Sequence, residues 1–367
     1  MKEKLLGPGY KFLTERVPDA LTREQKQARQ VFLGEIDSKG GYIQVDSCPY
    51  CGAKEFTKIS EADGKGLPAE IVICDSCGGC FKSKILDPEA NRFHYEKISY
   101  MLRGKYPSKQ AIEKLFAQRV IEFGYPRYYF IRHIVDLKAG RDMIMELGCG
   151  DGANLLPWKD NGFQVAGIEF NSKMEEFGEN NGLKILSGDF MDMDLGKMKP
   201  RLIILSHFLE HVSDINAVLK KIYGMLAPEG YLFIEVPGIR GQGLGKPLNS
   251  FDVEHNYYFD LKALSGVLEK HSFRIAYSDE YIRMVCGAGI GTSAKAPQTI
   301  PFSIKGLIAG IAKVLIKAAD PGISFLEATL REGERNSLRI KVLNRLQAVY
   351  FKNYYDSMIS GEKNGKR

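Results

Sequence analysis

Four groups of residues in this chain have types and spacing suited to chemistry. The first is a set of cysteines. Cys48-Pro-Tyr-Cys51-Gly and Cys74-Asp-Ser-Cys77-Gly form two CxxC pairs with 22 residues between them. One tight CxxC turn supplies two thiolates, and two such turns complete a tetrahedral set for zinc. Four thiolates leave no open position, so the metal they predict is structural. Cys80 is a spare: a register using Cys77 and Cys80 exists, but the matching CxxCG turns favour Cys74 and Cys77. The second group is Gly148-Cys-Gly150-Asp-Gly152, the third a set of acids at Glu146, Glu169 and Asp189, and the fourth the histidines His207, His211 and His255, the last preceded by Glu254.

The glycines follow Met143–Leu147, a short apolar run suited to a buried strand, and precede a predicted helix at 153–160 that contains Pro157. A strand, a glycine-rich turn and a helix make a nucleotide site, because glycine admits close backbone approach and the helix start offers free N–H groups. Gly148, Gly150 and Ala153 also satisfy a dinucleotide fingerprint. Glu169 ends the next predicted strand, 21 residues after Gly148, where an acid accepts hydrogen bonds from ribose hydroxyls. NAD and S-adenosylmethionine both fit that far. Asp189 and Phe190 follow the third strand, where an adenine edge and face could be held. The plainer alternatives are a turn residue for Asp189 and a core residue for Phe190.

Positioning these groups requires alternating elements. Strands are predicted at 142–147, 164–169, 184–187, 201–206 and 231–236, and helices at 153–160, 172–180, 214–226 and 260–270. Segments 273–278 and 282–289 predict an antiparallel hairpin. The alternation gives an α/β, doubly wound, mostly parallel sheet covered on both faces, with ligands beyond the carboxyl ends of the strands. Short strands around the cysteines predict a zinc ribbon. The expected organisation is an N-terminal extension (1–42), the ribbon (43–88), a helical linker (89–138), the sheet domain (139–296) and a basic helical segment (297–367). Tyr95, Tyr100 and Tyr106 of the linker either reach a substrate or pack in the interface.

With 367 residues and an apolar fraction of 44%, the chain can bury a large core and one or two small ones. Met1–Phe12 is charged and lacks an apolar h-region, and no run of about 18 apolar residues predicts a membrane span. A cytoplasmic location is expected, and the cysteine clustering then points to metal rather than disulfides. The net charge of +6 lies in 297–367, where twelve Lys and Arg face six Asp and Glu. Within it, 304–319 is amphipathic as a helix. It predicts packing on the core or a partner, or peripheral contact with the inner face of a membrane.

Together these motifs resemble those of the class I S-adenosylmethionine-dependent methyltransferases. The matching residues are Glu146 to Gly152, Glu169, Gly188-Asp189-Phe190, Ser206 to Val212, Ala227-Pro-Glu-Gly230 and Glu235-Val-Pro237. The resemblance covers roughly 140–290 and implies a Rossmann-like fold with S-adenosylmethionine as cofactor. It further implies Glu146 and the Gly148–Gly152 loop along the methionine part, Glu169 on the ribose, Asp189 with Phe190 at the adenine, and Ser206 beside the cofactor. The layout also resembles a narrower group that carries an N-terminal cysteine zinc module, several of which modify nucleotide-linked sugars. Glu254-His255 before Tyr257-Tyr258-Phe259 looks like the Glu-His pair that serves as base in sugar C-methylating members. The 297–367 segment departs from that group, which has a second nucleotide-binding-type domain there.

A carbon or hydroxyl acceptor must lose a proton, and histidine titrates near neutral pH. His255 is the first expected base, with Glu254 orienting it or sharing the work, and His207 the second. His207 and His211 have the i,i+4 spacing for a metal but lack a third ligand nearby in sequence. Cys149 reads as a space-filler within the glycine loop. The function expected is methyl transfer to a small-molecule sugar or glycan acceptor. RNA methylation, with the ribbon and basic tail holding phosphates, is the alternative; a binding module that kept the fold is a third.

Overall fold

We describe the protein from a computed structural model over residues 21–103, 115–196, 198–239, 251–279 and 282–289. Tyr106, the 304–319 helix and the rest of the basic segment lie outside these residues. Helix α1 (Arg23–Glu35) opens with a capping box between Thr22 and Gln25. Five short strands follow: β1 (Tyr42–Gln44), β2 (Phe56–Ala62), β3 (Pro68–Cys74), β4 (Cys80–Lys82) and β5 (Lys84–Leu86). Helices α2 (Pro88–Phe93), α3 (Ser99–Leu102) and α4 (Tyr125–Ile134) connect them to the large sheet.

That sheet is built from β6 (Met143–Leu147), α5 (Leu156–Asp160), β7 (Gln164–Glu169), α6 (Lys173–Asn180), β8 (Ile185–Ser187), β9 (Leu202–Ser206), α7 (Ile215–Met225) and β10 (Tyr231–Glu235). Strand β11 (Tyr257–Tyr258), helix α8 (Leu261–Lys270) and strands β12 (Phe273–Ser278) and β13 (Arg283–Ala288) complete the described chain. The strand order is β12-β13-β10-β9-β6-β7-β8. The five strands from β10 to β8 are parallel, and β13 and β12 add antiparallel. This is the predicted α/β sheet with its hairpin. Helix α5 starts three residues later than expected because Pro157 stands in its first turn, where the missing N–H costs no helical bond. The chain runs outward from β6 to β8 and returns at β9 on the other side of β6. The strand order therefore reverses between β6 and β9, which puts a crevice at their carboxyl ends.

One connection was not legible beforehand. Strand β11 pairs antiparallel with β4, Tyr257 opposite Phe81 and Tyr258 opposite Cys80, so the ribbon sheet runs β11-β4-β3-β2. Two residues carry no readable alternation, and their pairing joins positions far apart in sequence. The two sheets also share a core. Tyr50, Val72 and Phe81 of the ribbon pack in one apolar cluster with Leu147, Leu205, Ile222, Tyr257 and Phe259. Cys80 is buried in a separate small cluster with Ile71, Ile73 and Tyr258, so this spare thiol is a packing residue of β4.

Candidate active site

The glycine loop leaves β6 at the crevice. Gly148, Gly150 and Gly152 all have positive φ, at 66°, 54° and 77°. A Cβ at Gly148 would lie 2.7 Å from Phe208, and one at Gly152 would lie 2.7 Å from Leu183. A Cβ at Gly150 would meet nothing within 4 Å among the described residues, so this side of the turn is open. Glu169 at the end of β7 reaches back to it: Oε2 accepts from the Gly150 N–H at 2.9 Å, and Oε1 accepts from the Asn171 N–H at 3.1 Å. Asn171 Nδ2 in turn donates to the Tyr100 hydroxyl at 2.8 Å, so the linker meets the crevice here. Cys149 packs its Sγ where a Cβ of Gly167 would stand, as a space-filler does.

Glu146 is 1% exposed. Its Oε1 accepts from Asn154 Nδ2 at 2.6 Å, while the buried Oε2 has no hydrogen-bond partner among the described residues. Burial pushes its carboxyl up to about 8, against the opposing pull of Asn154 and Arg127. A buried carboxylate oxygen without a partner is costly unless something cationic meets it. S-adenosylmethionine carries an ammonium and a sulfonium, so the acid, the open Gly150 turn and Glu169 form a donor and acceptor set that fits it. Arg127 meanwhile is held by Glu235 and by Asn154 Oδ1 at 2.9 Å. None of these side-chain partners was apparent in the sequence, because they come from α4, the turn before α5, and β10.

Asp189 is exposed, and its Oδ1 accepts from the Met191 N–H at 2.8 Å. Phe190 is 4% exposed within the main core, with Lys221 Nζ 4.9 Å from its ring centroid. The ring thus packs in the main core, the plainer of the two placements expected for this residue. Phe170, immediately after Glu169, is 42% exposed.

Past Ser206, the last residue of β9, the chain turns through His207, which holds φ at 52°. A positive φ is strained for a residue with a Cβ and recurs at functional sites. His207 stands half exposed, Nδ1 3.3 Å from Glu210 Oε1 and Nε2 3.9 Å from Glu235 Oε1. Glu210 is 1% exposed. Burial works to raise its carboxyl, but His207, His211 and His255 outweigh it and hold it below the usual range. His211 Nδ1 lies 3.1 Å from both the Tyr95 hydroxyl and the Glu254 carbonyl. Its ring sits edge-on to His255, with centroids 4.9 Å apart. Glu210, His211 and His255 thus bring an oxygen and two ring nitrogens within 4.8 Å of one another. The third partner that His207 and His211 lacked in sequence comes from the 251–256 loop, and it joins His211 rather than His207.

His255 and Glu254 face different ways. Burial and His211 push the imidazole of His255 down to about 4, with Glu210, Asp252 and Glu254 opposing. Glu254 instead turns to the linker, where Ser99 Oγ donates to Oε1 at 2.6 Å, His94 Nε2 lies 3.2 Å from Oε1, and Arg103 reaches Oε2. Burial opposes its charge, but His94, Arg103 and Ser99 outweigh it and hold its carboxyl far below the usual range. These contacts tie Glu254, and the loop that carries it, to the linker.

In the ribbon, Cys48 Sγ lies 3.6 Å from Cys77 Sγ, and Cys51 Sγ 3.6 Å from Cys74 Sγ. All four sulfurs fall within 4.8 Å of one another. A disulfide needs about 2 Å, whereas four thiolates at about 2.3 Å from one zinc stand about 3.8 Å apart. The spacing fits a metal tetrahedron.

Residues 101–278 match the methyltransferase-domain family. The protein is an S-adenosylmethionine-dependent methyltransferase. This methyltransferase is 22% identical over 303 residues to the C-methyltransferase NovU of Streptomyces niveus, covering 76% of this chain and 67% of that protein. It is 26% identical over 154 residues to the uncharacterized methyltransferase OB1106 of Oceanobacillus iheyensis, covering 37% of this chain and 71% of that one. Among solved structures, an S-adenosylmethionine-dependent methyltransferase from Archaeoglobus fulgidus is 20% identical, covering 60% of this chain and 93% of that chain, with a TM-score of 0.37.

Proposed function

We propose that this methyltransferase moves a methyl group to a carbon or hydroxyl of a sugar or glycan intermediate, with a histidine as general base. The observation that carries the reading is the group of His207, His211 and His255 around the buried Glu210, at the carboxyl end of β9 beside the glycine loop. Similarity to a C-methyltransferase over 76% of the chain supports carbon as the acceptor atom, since it extends beyond the matched domain. The sugar class rests on the resemblance of the Glu254-His255 motif and the cysteine module to sugar-modifying methyltransferases.

Bound S-adenosylmethionine supplies a methyl group already activated on a sulfonium. The chain must hold the acceptor in line and take its proton. Glu146 and the Gly150 turn hold the methionine part, Glu169 the ribose, and Phe170 with Asp189 the adenine. Ser206 lines the same edge. Burial keeps the His255 ring neutral at pH 7, so its nitrogen is free to take the acceptor's proton, as a weak base that needs Glu210 beside it. Glu210 offsets the charge that then appears on the imidazole. His207, the more exposed ring, is the second base. The four cysteines hold a structural zinc ion.

The deciding experiment is a screen of nucleotide sugars and lipid-linked glycans as acceptors, read by release of S-adenosylhomocysteine. On the acceptor found, His255→Ala is expected to lower kcat by about 10²- to 10⁴-fold, as loss of a general base does. Full activity of that variant removes His255 from the mechanism, and the same loss in His207→Ala would move the role there.

A further inference from the structure

The cysteine module grips the 251–256 loop with a buried ionic cluster that the chemistry above does not use. Lys82 of β4 is 3% exposed, which is unusual for a lysine. Its Nζ donates to the Val253 carbonyl at 2.5 Å, and its backbone N–H donates to the Asn256 carbonyl at 3.0 Å. Asp63, also buried, sits at the turn after β2. Its Oδ1 accepts from the Lys65 and Leu67 N–H groups at 2.8 Å each, and its Oδ2 accepts from the Val253 N–H at 3.2 Å. Lys65 Nζ pairs with Asp252 Oδ2 at 2.8 Å. The Gly64 N–H donates to the Phe251 carbonyl at 3.0 Å. The side chain of Val253 is buried among Phe32, Leu67 and Leu86.

Residues 251, 252, 253 and 256 are therefore all tied to the ribbon, and Glu254 is tied to the linker. The His255 ring turns toward Glu210 and His211, where the Asn256 N–H also donates to the Glu210 carbonyl at 2.7 Å. Burial lowers the Lys82 ammonium to about 8 while Asp252, Asp63 and Glu254 support it, so it stays largely charged among them at neutral pH. Buried charged groups of this kind often stabilise no more than an apolar side chain of the same volume. The contribution of Lys82 is to fix where the loop lies.

We infer that Lys82, acting with Asp63, is a positioning residue through which the cysteine module sets the His255 ring against Glu210. The inference rests on the reading of His255 as the base, but its test does not. The full chain, loaded with zinc, is prepared with isotope-labelled histidine. His255→Asn assigns the His255 signal among six histidines. Lys82→Met and Asp63→Asn are expected to move that imidazole signal. They are also expected to speed amide exchange across 251–258 by about tenfold, while exchange across 143–169 and S-adenosylmethionine affinity stay as in the wild type. The exposed neighbour Lys84→Met should change neither. Asp63→Asn keeps one turn acceptor and decides the matter if Lys82→Met fails to fold. Folded variants with an unmoved His255 signal and unchanged exchange over 251–258 overturn the inference. Full methyl transfer by His255→Asn would instead overturn the base reading and leave this result standing.

Discussion

Glu146 of β6 and Glu254 of the 251–256 loop both bury their carboxyl groups, yet their surroundings are opposite. Glu254 is met by His94, Ser99 and Arg103. Glu146 accepts from Asn154, and its other oxygen has no hydrogen-bond partner among the described residues. Burial sets the balance for Glu146 and raises its carboxyl, whereas its partners set the balance for Glu254 and lower it. One acid is already satisfied by the fold, as a positioning role requires. The other keeps an oxygen open, as the proposed binding of a cationic cofactor requires.

The largest expected effect is on Glu254. Glu254→Ala leaves His94 and Ser99 buried without their acceptor and should lower stability by about 3 kcal/mol. That figure rests on the buried partners, because Arg103 is 61% exposed and its share is screened. S-adenosylmethionine affinity of the folded fraction, read by calorimetry, should stay within about twofold. Glu146→Gln should behave the other way. The unliganded Tm should hold or rise, and cofactor binding should weaken by roughly 1.5–3 kcal/mol, the worth of a hydrogen bond to a charged group. An unliganded Glu146→Gln protein that melts well below the wild type would break the contrast.

The pH dependence sharpens it. Glu146 has a folded pKa of about 8, above its unfolded value. Its contribution to the unliganded protein is most favourable at low pH and declines as pH rises from about 4.5 through 8. Glu254 has a folded pKa below its unfolded value, so its contribution is present above about pH 4.5 and lost as pH falls below it. A cation that draws Glu146 into its charged form must release a proton. Near pH 7, S-adenosylmethionine binding should release up to about one proton, visible as a dependence of binding enthalpy on buffer ionisation. Glu146→Gln should abolish that dependence. The smallest effect belongs to the adenine end: Phe170→Ala should weaken cofactor binding by about 1 kcal/mol, the scale of one aromatic contact. Unchanged affinity would take Phe170 out of the site.

The elements with long local patterns were readable in advance. The parallel strands from Met143 to Glu235 follow continuous apolar runs, and their helices carry polar caps such as Asp214 and Asp260. The two CxxC turns were readable because a tight turn fixes its own ligand spacing. Phe190 shows where that kind of reading stops. Next to an acid at a strand end, an aromatic looks equally suited to a ligand or to the core, and its burial here depends on residues far along the chain, Lys221 among them.

Sequence by itself determined the α/β sheet, the glycine loop with its two acids, and a cysteine set spaced for metal, because each is written in neighbouring residues. Tertiary structure alone decided which groups face one another. It joined β11 to the ribbon, set three histidines around Glu210, satisfied Glu254 and left one oxygen of Glu146 unmatched. The physical reason is that burial and charge pairing depend on partners distant in the chain. In Lys82 and Val253 those partners stand 171 positions apart, a separation that no local pattern encodes.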